Sequence, residues 1–204
     1  MGGKSPPMRL SLMLKISLLA ALSAVLMQLS LPLFPAHSYL RYDPSEVPAL
    51  VASFALGPTA GMAVVLLKNL VHGLTHFQPT ELVGLPINTL AGCALVGVAG
   101  SVYRARKNKS IAVVSLLLGV LAMTLVMIPC NLVLLPLFQR VFFPASTPSQ
   151  PDQVLTLLLT VVTPFNLLKG TITSVLTFLV YKRVSPTLKS VPRWDVGLSA
   201  VKEP

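Results

Sequence analysis

The feature that most constrains this chain is a series of apolar stretches. Each is close to the roughly 20 residues that cross a bilayer as a helix. They read as helices at about 10–31, 83–103, 111–139 and 155–182. Composition agrees with this reading. Only 11% of the 204 residues are charged, 53% are hydrophobic, and mean hydropathy is +0.77. A soluble domain carries about 25% charged residues. The chain is therefore expected to be an integral membrane protein with little mass outside the bilayer.

The stretch from Val47 to Leu74 is ambiguous, because Leu56-Gly57-Pro58-Thr59 interrupts it. Gly-Pro is a strong turn signal. Charge placement chooses between one span and two. Lys4, Arg9 and Lys15 begin the chain, Arg104, Arg106, Lys107 and Lys109 follow the 83–103 segment, and Lys182, Arg183, Lys189, Arg193 and Lys202 end it. Basic clusters belong on the cytoplasmic side. Two spans within 47–74 put all three clusters there; one span would not. The external segments then hold Arg41, Asp43, Glu46, Glu81, Arg140 and Asp152, which balance in sign. The expected fold is all-α, with six transmembrane helices, both termini cytoplasmic, and location in the plasma membrane. Residues 1–183 form a single membrane domain and 184–204 a polar cytoplasmic tail. The first segment has the basic start and apolar middle of a signal peptide. No small-x-small cleavage site precedes Tyr39, and the segment is long enough to span, so it is read as a helix of the domain.

A pI near 10.1 and a net charge of +10 raise the question of nucleic acid. The basic residues fall between apolar segments, with no basic stripe interleaved with aromatics, so no nucleic-acid partner is expected. Cys93 and Cys130 lie in apolar spans and read as free thiols, without metal spacing. Gly2-Gly3-Lys4-Ser5 mimics the end of a phosphate loop but lacks the earlier glycine and the flanking strand and helix. No nucleophile–base or metal set is present, so the chain does not read as an enzyme, and no cofactor is expected. Uphill transport would need energy from another subunit.

Lys169 is the anomaly. It lies in Pro164-Phe165-Asn166-Leu167-Leu168-Lys169-Gly170, inside a membrane-length apolar stretch. A charge at that depth costs several kcal/mol unless compensated. Asn166 lies three residues earlier on the same helix face, beside a proline that removes a backbone donor. Either a polar binding site or a snorkelling lysine accounts for this run alone. Two further segments repeat the pattern. Asn88 follows Pro86 by two residues, and Asn131 follows Pro129 by two. One intramembrane asparagine is ordinary interhelical glue. Three beside prolines point to a shared pocket, since each amide offers both a donor and an acceptor.

Tyr42-Asp43-Pro44-Ser45-Glu46-Val47-Pro48 closes the first external loop. It has the makings of a helix start, with Asp or Ser as N-cap and Glu46 near the positive dipole end. Such a loop, stiffened by Pro32, Pro35 and Pro44, could also cover a ligand. Lys68 has a structural reading, paired with Glu46 or Glu81 or snorkelling, while His37, His72 and His76 read as interfacial. Ala20 and Ala24 form a small-xxx-small face on the first segment.

These pieces resemble the riboflavin-specific substrate-binding subunit (RibU type) of energy-coupling factor transporters. The matching runs are Leu40-Arg41-Tyr42-Asp43-Pro44-Ser45-Glu46-Val47-Pro48-Ala49-Leu50, Phe54-Ala55-Leu56-Gly57-Pro58, Lys68-Asn69-Leu70, Ala99-Gly100-Ser101-Val102-Tyr103 and Pro164 to Gly170, in order over about 10–183. The resemblance implies six helices and a site near the external face, with Tyr42, Asp43, Asn131, Asn166 and Lys169 as ligand contacts and Asn88 as a looser match. It implies riboflavin as the transported ligand. It also implies docking of a membrane coupling subunit (T component) on Ala20 and Ala24, with two cytoplasmic ATPases below. Rival readings keep the class with another vitamin or flavin-like compound, or make the chain a non-catalytic membrane scaffold. In the scaffold the three asparagines point to separate helix contacts.

Overall fold

In the computed structural model of the chain, the described residues are 8–33, 40–76, 81–142 and 151–189. Lys4, Pro35, His37, Tyr39 and the end of the tail from residue 190 on lie outside them, as do the side chains of Arg9, Glu81, Arg140 and Lys189. The described residues are almost wholly helical. Helix α1 is Met8–Gln28, α2 Glu46–Leu56, α3 Pro58–Thr75, α4 Glu81–Ala105, α5 Lys109–Phe142, α6 Pro151–Leu157 and α7 Thr163–Lys189. A π-helical turn, Leu158–Val162, joins α6 to α7. Strands β1 (Leu31–Pro32) and β2 (Arg41–Tyr42) make a short antiparallel pair that registers Leu31 with Tyr42.

The Gly57-Pro58 break divides 47–74 as the sequence indicates. Gly57 has φ 114°, a backbone open only to glycine at low cost. Its N–H closes α2 on the Ser53 carbonyl at 3.0 Å, and its own carbonyl accepts from Ala60 at 3.1 Å to open α3. Pro58 occupies the first turn of α3, where no donor is needed.

Four helical segments are long and apolar enough to cross a membrane: Leu10–Gln28, Gly84–Ala105, Lys109–Leu134 and Asp152–Val184. Helix α2 is different. With 11 residues it rises about 16 Å, well short of a hydrocarbon core of about 30 Å. Residues Glu46 to Phe54 are all buried, and α1, α3, α4 and α7 all pack against it. A short helix with no outward face is the core of this bundle, rather than one of its walls. The apolar run of helix α3 is broken by Lys68, Asn69 and His72, which lower its hydropathy.

Small residues set the close approaches. A Cβ at Gly61 would stand 2.9 Å from the Ala49 carbonyl, and one at Gly119 would stand 2.8 Å from the Leu95 carbonyl. These glycines let α2–α3 and α4–α5 pack backbone to backbone, as membrane helices do in the absence of a hydrophobic drive between them. Ala20 and Ala24 serve the same end. They are 5% and 7% exposed and face the chain's own core, where α1 meets α2 and α3. Met13, Leu18 and Val25 form the outward side of α1. A partner reaches Ala20 and Ala24 only if α1 leaves its neighbours. At the other end of α2, Phe54 stacks on Tyr103 with centroids 4.3 Å apart, and Tyr181 meets both edge-on. This aromatic knot ties α2, α4 and α7 beside the basic residues Arg104, Lys182 and Arg183.

Candidate functional site

The site begins with the loop into α2. Asp43 accepts the Ser45 backbone N–H at 3.1 Å and also the Ser45 hydroxyl. This is an Asx turn that leads into α2 at its N-cap residue Ser45, and no side chain makes the expected capping bond. Arg41 anchors the strand before it, donating from Nε to Ser30 Oγ at 2.9 Å and from Nη2 to the Ser30 carbonyl at 2.7 Å.

The turn feeds a buried network of charge. Lys68 Nζ donates to Glu46 Oε1 at 2.7 Å and to Ser45 Oγ at 2.5 Å. Lys169 Nζ donates to Asp43 Oδ2 at 3.4 Å. Ser45 bridges the two pairs. Two carboxylates and two ammonium groups thus balance inside the bundle, which is the arrangement a low-dielectric interior tolerates. Lys68 pairs with Glu46, one of its two expected acids. Lys169 does not snorkel: it is 8% exposed and turned to the loop. Burial works to raise the Asp43 pKa, but the Lys169 and Lys68 ammonium groups and the Ser45 bonds outweigh it and hold the carboxyl down to about 2.

Beneath the loop, the three asparagines converge. Asn88 on α4, Asn131 on α5 and Asn166 on α7 line one cavity of about 210 Å³ together with Lys169. This arrangement is the opposite of what the scaffold reading requires. Ile87, Met123, Met127 and Phe165 supply the apolar wall. An adjoining outer cavity of about 480 Å³ shares Arg41, Gly84, Asn88 and Lys169, and adds Gln28, Asp43, His72 and His76. Together they fall within the usual volume of ligand sites, about 300–1,000 Å³; the inner cavity carries the apolar wall and the outer one is lined mostly by polar side chains. A larger hollow of about 810 Å³ on the outer side of α3 and α4 is lined mostly by leucines. It holds no charged group, and Asn69 and Thr89 at its wall are bonded to each other at 2.9 Å. It offers a ligand little to orient on.

The amides are held in place from behind. Asn131 Nδ2 donates to the Met127 carbonyl and Asn166 Nδ2 to the Val162 carbonyl, both at 2.8 Å. Each bond uses one amide hydrogen and aims the rest of the head into the cavity. Asn88 Nδ2 donates to Asn69 Oδ1 at 3.1 Å, which ties α4 to α3. Just before Asn166 the helix widens. The Thr163 N–H reaches the Leu158 carbonyl, five residues back. Pro164 cannot donate to the ladder, and the π turn takes up the mismatch ahead of it. Such turns concentrate at functional sites. The sequence indicates a kink at Pro164 but not its form.

Of the expected contacts, Asp43, Asn88, Asn131, Asn166 and Lys169 line the joined cavities. Tyr42 does not; it stands half-buried on β2, with Thr173, Asp43 and Lys169 around its phenol, and burial pushes its pKa up. Arg41, Glu46, His72 and His76 line the cavities without having been singled out for it. The histidine rings stack with centroids 5.2 Å apart, and among the described residues no cluster suits a metal. Cys93 and Cys130 are free and half-buried.

Comparison with known proteins bears on this architecture. The family model of the ECF transporter, substrate-specific component, matches residues 11–181. The riboflavin transporter RibU of Staphylococcus aureus is 32% identical over 180 residues, covering 88% of this chain and 93% of that protein. The riboflavin transporter FmnP of Bacillus subtilis is 30% identical over 192 residues, covering 89% and 96%. A solved structure of the S component of a bacterial ECF transporter superposes with a TM-score of 0.73 at 29% identity, covering 89% of this chain and 99% of that one. A helical membrane protein matched in sequence and in fold over nearly its whole length, this chain belongs to the family of ECF transporter substrate-specific components.

Proposed function

We propose that this chain is the riboflavin-binding membrane subunit of an ECF-type vitamin importer. The observation that carries the reading is the convergence of Asn88, Asn131, Asn166 and Lys169 on one cavity, under a loop that Asp43 ties to Lys169. The relatives named as riboflavin transporters supply the ligand. The isoalloxazine ring has a flat apolar body, which suits the methionine and phenylalanine wall. Its dione edge meets the asparagine amides and Lys169. The ribityl chain extends into the outer cavity, among polar groups that include Asp43 and Arg41. Tyr42 acts with Asp43 as part of the closing loop. At 3.4 Å the Lys169–Asp43 contact is loose, since a tight charge-assisted bond is about 2.7–2.9 Å. The ammonium has hydrogens to spare for a ligand carbonyl, so Lys169 can hold ligand and closing loop together.

In this reading the domain passes through the plasma membrane six times, the short α2 making its pass inside the bundle rather than through lipid, with both termini cytoplasmic, and capture occurs from outside. A separate T component, bearing on two cytoplasmic ATPase subunits, docks at Ala20 and Ala24 once α1 parts from α2 and α3, and drives release. Purification of the protein with bound flavin, or quenching of riboflavin fluorescence on titration, tests the claim. A colourless preparation that leaves the fluorescence unchanged sinks it.

A further inference from the structure

Glu46 has no part in the binding scheme so far. It opens α2 and is 2% exposed. Its Oε1 accepts from Lys68, whose ammonium has Ser45 Oγ as a second partner. Its Oε2 is equally buried and has no hydrogen-bond partner among the described residues. Compensation of an intramembrane lysine accounts for Oε1 and leaves Oε2 unexplained. A buried acceptor without a partner is destabilising, more so on a charged group, and such a group calls for a ligand, a water or a function.

Two observations locate that partner. Glu46 lines the inner cavity with the three asparagines and Lys169. Gly92, on the same cavity wall, provides its clearance: a Cβ there would stand 2.9 Å from Oε1 and 3.2 Å from Oε2, and also 2.9 Å from Val65 Cγ1. Of the other polar groups of this cavity, Lys169 and Arg41 are donors only, and each asparagine keeps one amide N–H and its carbonyl oxygen; Glu46 Oε2 is the charged acceptor beside them. A ring edge that presents carbonyl, N–H and carbonyl in sequence needs donors flanking an acceptor.

We infer that Glu46 Oε2 accepts a hydrogen bond from the imide N–H of the bound ligand's dione edge, with Lys68 as a positioning residue and Gly92 as the clearance that lets the carboxylate face the cavity. The inference rests on the riboflavin reading. It makes the site select an N–H edge over an N-alkylated one. Because Glu46 and Lys68 cancel in charge, it asks for no net charge on the ligand.

The test compares riboflavin with its imide N-methyl derivative, titrated by fluorescence quenching against the purified full chain. The wild type is expected to prefer the N–H form by roughly 10- to 100-fold, the range for a hydrogen bond to a charged group. The neutral double variant Glu46→Ala/Lys68→Met should lose most of that preference. Gly92→Ala keeps both charges, pushes the carboxylate out of the cavity, and should also lose it; this variant reads the result if the double variant fails to fold. Wild-type binding of riboflavin with the preference intact in Gly92→Ala and in any folded double variant overturns the role of Glu46 alone. No riboflavin binding by the wild type overturns both readings.

Discussion

Replacing Lys169 with methionine separates the two tasks assigned to that lysine. The side chain keeps its length and loses its charge, so Asp43 Oδ2 loses the ammonium at 3.4 Å while Oδ1 keeps both Ser45 bonds. Breaking a buried ion pair costs about 3–5 kcal/mol when the remaining charge is stranded. Asp43 is not fully stranded, because Lys68 stays near through Ser45 and the lost contact is long. The expected loss is therefore lower, about 2 kcal/mol. Asp43→Asn should cost a similar amount by leaving Lys169 buried without its acid. The double variant Asp43→Asn/Lys169→Met strands neither, so its loss should fall short of the sum of the singles by at least about 1 kcal/mol. Thermal unfolding of the ligand-free protein in one detergent measures all four forms. Riboflavin titration supplies the second readout. Lys169→Met should weaken binding roughly 10- to 100-fold, and the double variant should remain as weak, because restored stability does not restore the donor. Strictly additive stability losses together with unchanged affinity would refute both the pairing and the ligand contact.

Acid should act on the loop in a narrow window. The Asp43 carboxyl is depressed from 3.8 to about 2, so its stabilising contribution, about 2 kcal/mol, is complete above pH 4 and is lost as pH falls from 4 towards 2. Unfolding temperature measured across that range should drop in the wild type and drop less in Asp43→Asn. Asn166→Ala should weaken riboflavin binding roughly 10-fold with little change in unfolding temperature, since its one side-chain bond among the described residues is to the turn just before it. Gly57→Ala should lower stability by about 1–3 kcal/mol, because φ 114° is strained for any side chain; binding measured below the unfolding temperature should be retained. Gly119→Ala should cost about 1–3 kcal/mol by overpacking against the Leu95 carbonyl, and an unfolding temperature equal to wild type would contradict the close α4–α5 approach.

Much of the candidate site is legible in the sequence because membrane chemistry makes polar residues conspicuous. An ammonium or amide amid apolar residues needs a partner, and that requirement marks Lys169, Asn88, Asn131 and Asn166 before any fold is known. The prolines two residues ahead of each asparagine add a local signal. Glu46 carries the same kind of signal in reverse: buried Lys68 requires an acid. Its place at a helix start is a sufficient local explanation, and nothing near it in the sequence marks it as cavity wall. His72 and His76 look interfacial by position and stand at the outer cavity in space. Ala20 and Ala24 show a small-residue face correctly but not what covers it. Helix faces in lipid are apolar on both sides, so periodicity does not tell an inner face from an outer one.

The amino-acid sequence by itself determined the medium and the punctuation. Apolar length sets the chain in a bilayer, Gly57-Pro58 divides the second apolar stretch, and isolated polar residues mark the costly positions. Only the tertiary structure decided that α2 is a short buried core rather than a wall. The same is true of the pairing of Lys169 with Asp43 and Lys68 with Glu46 through Ser45, and of the three asparagines sharing one cavity. The physical reason is reach. Solvation and turn chemistry act within a few residues, whereas the partner of Lys169 lies 126 positions away, and nothing local encodes which helices will meet.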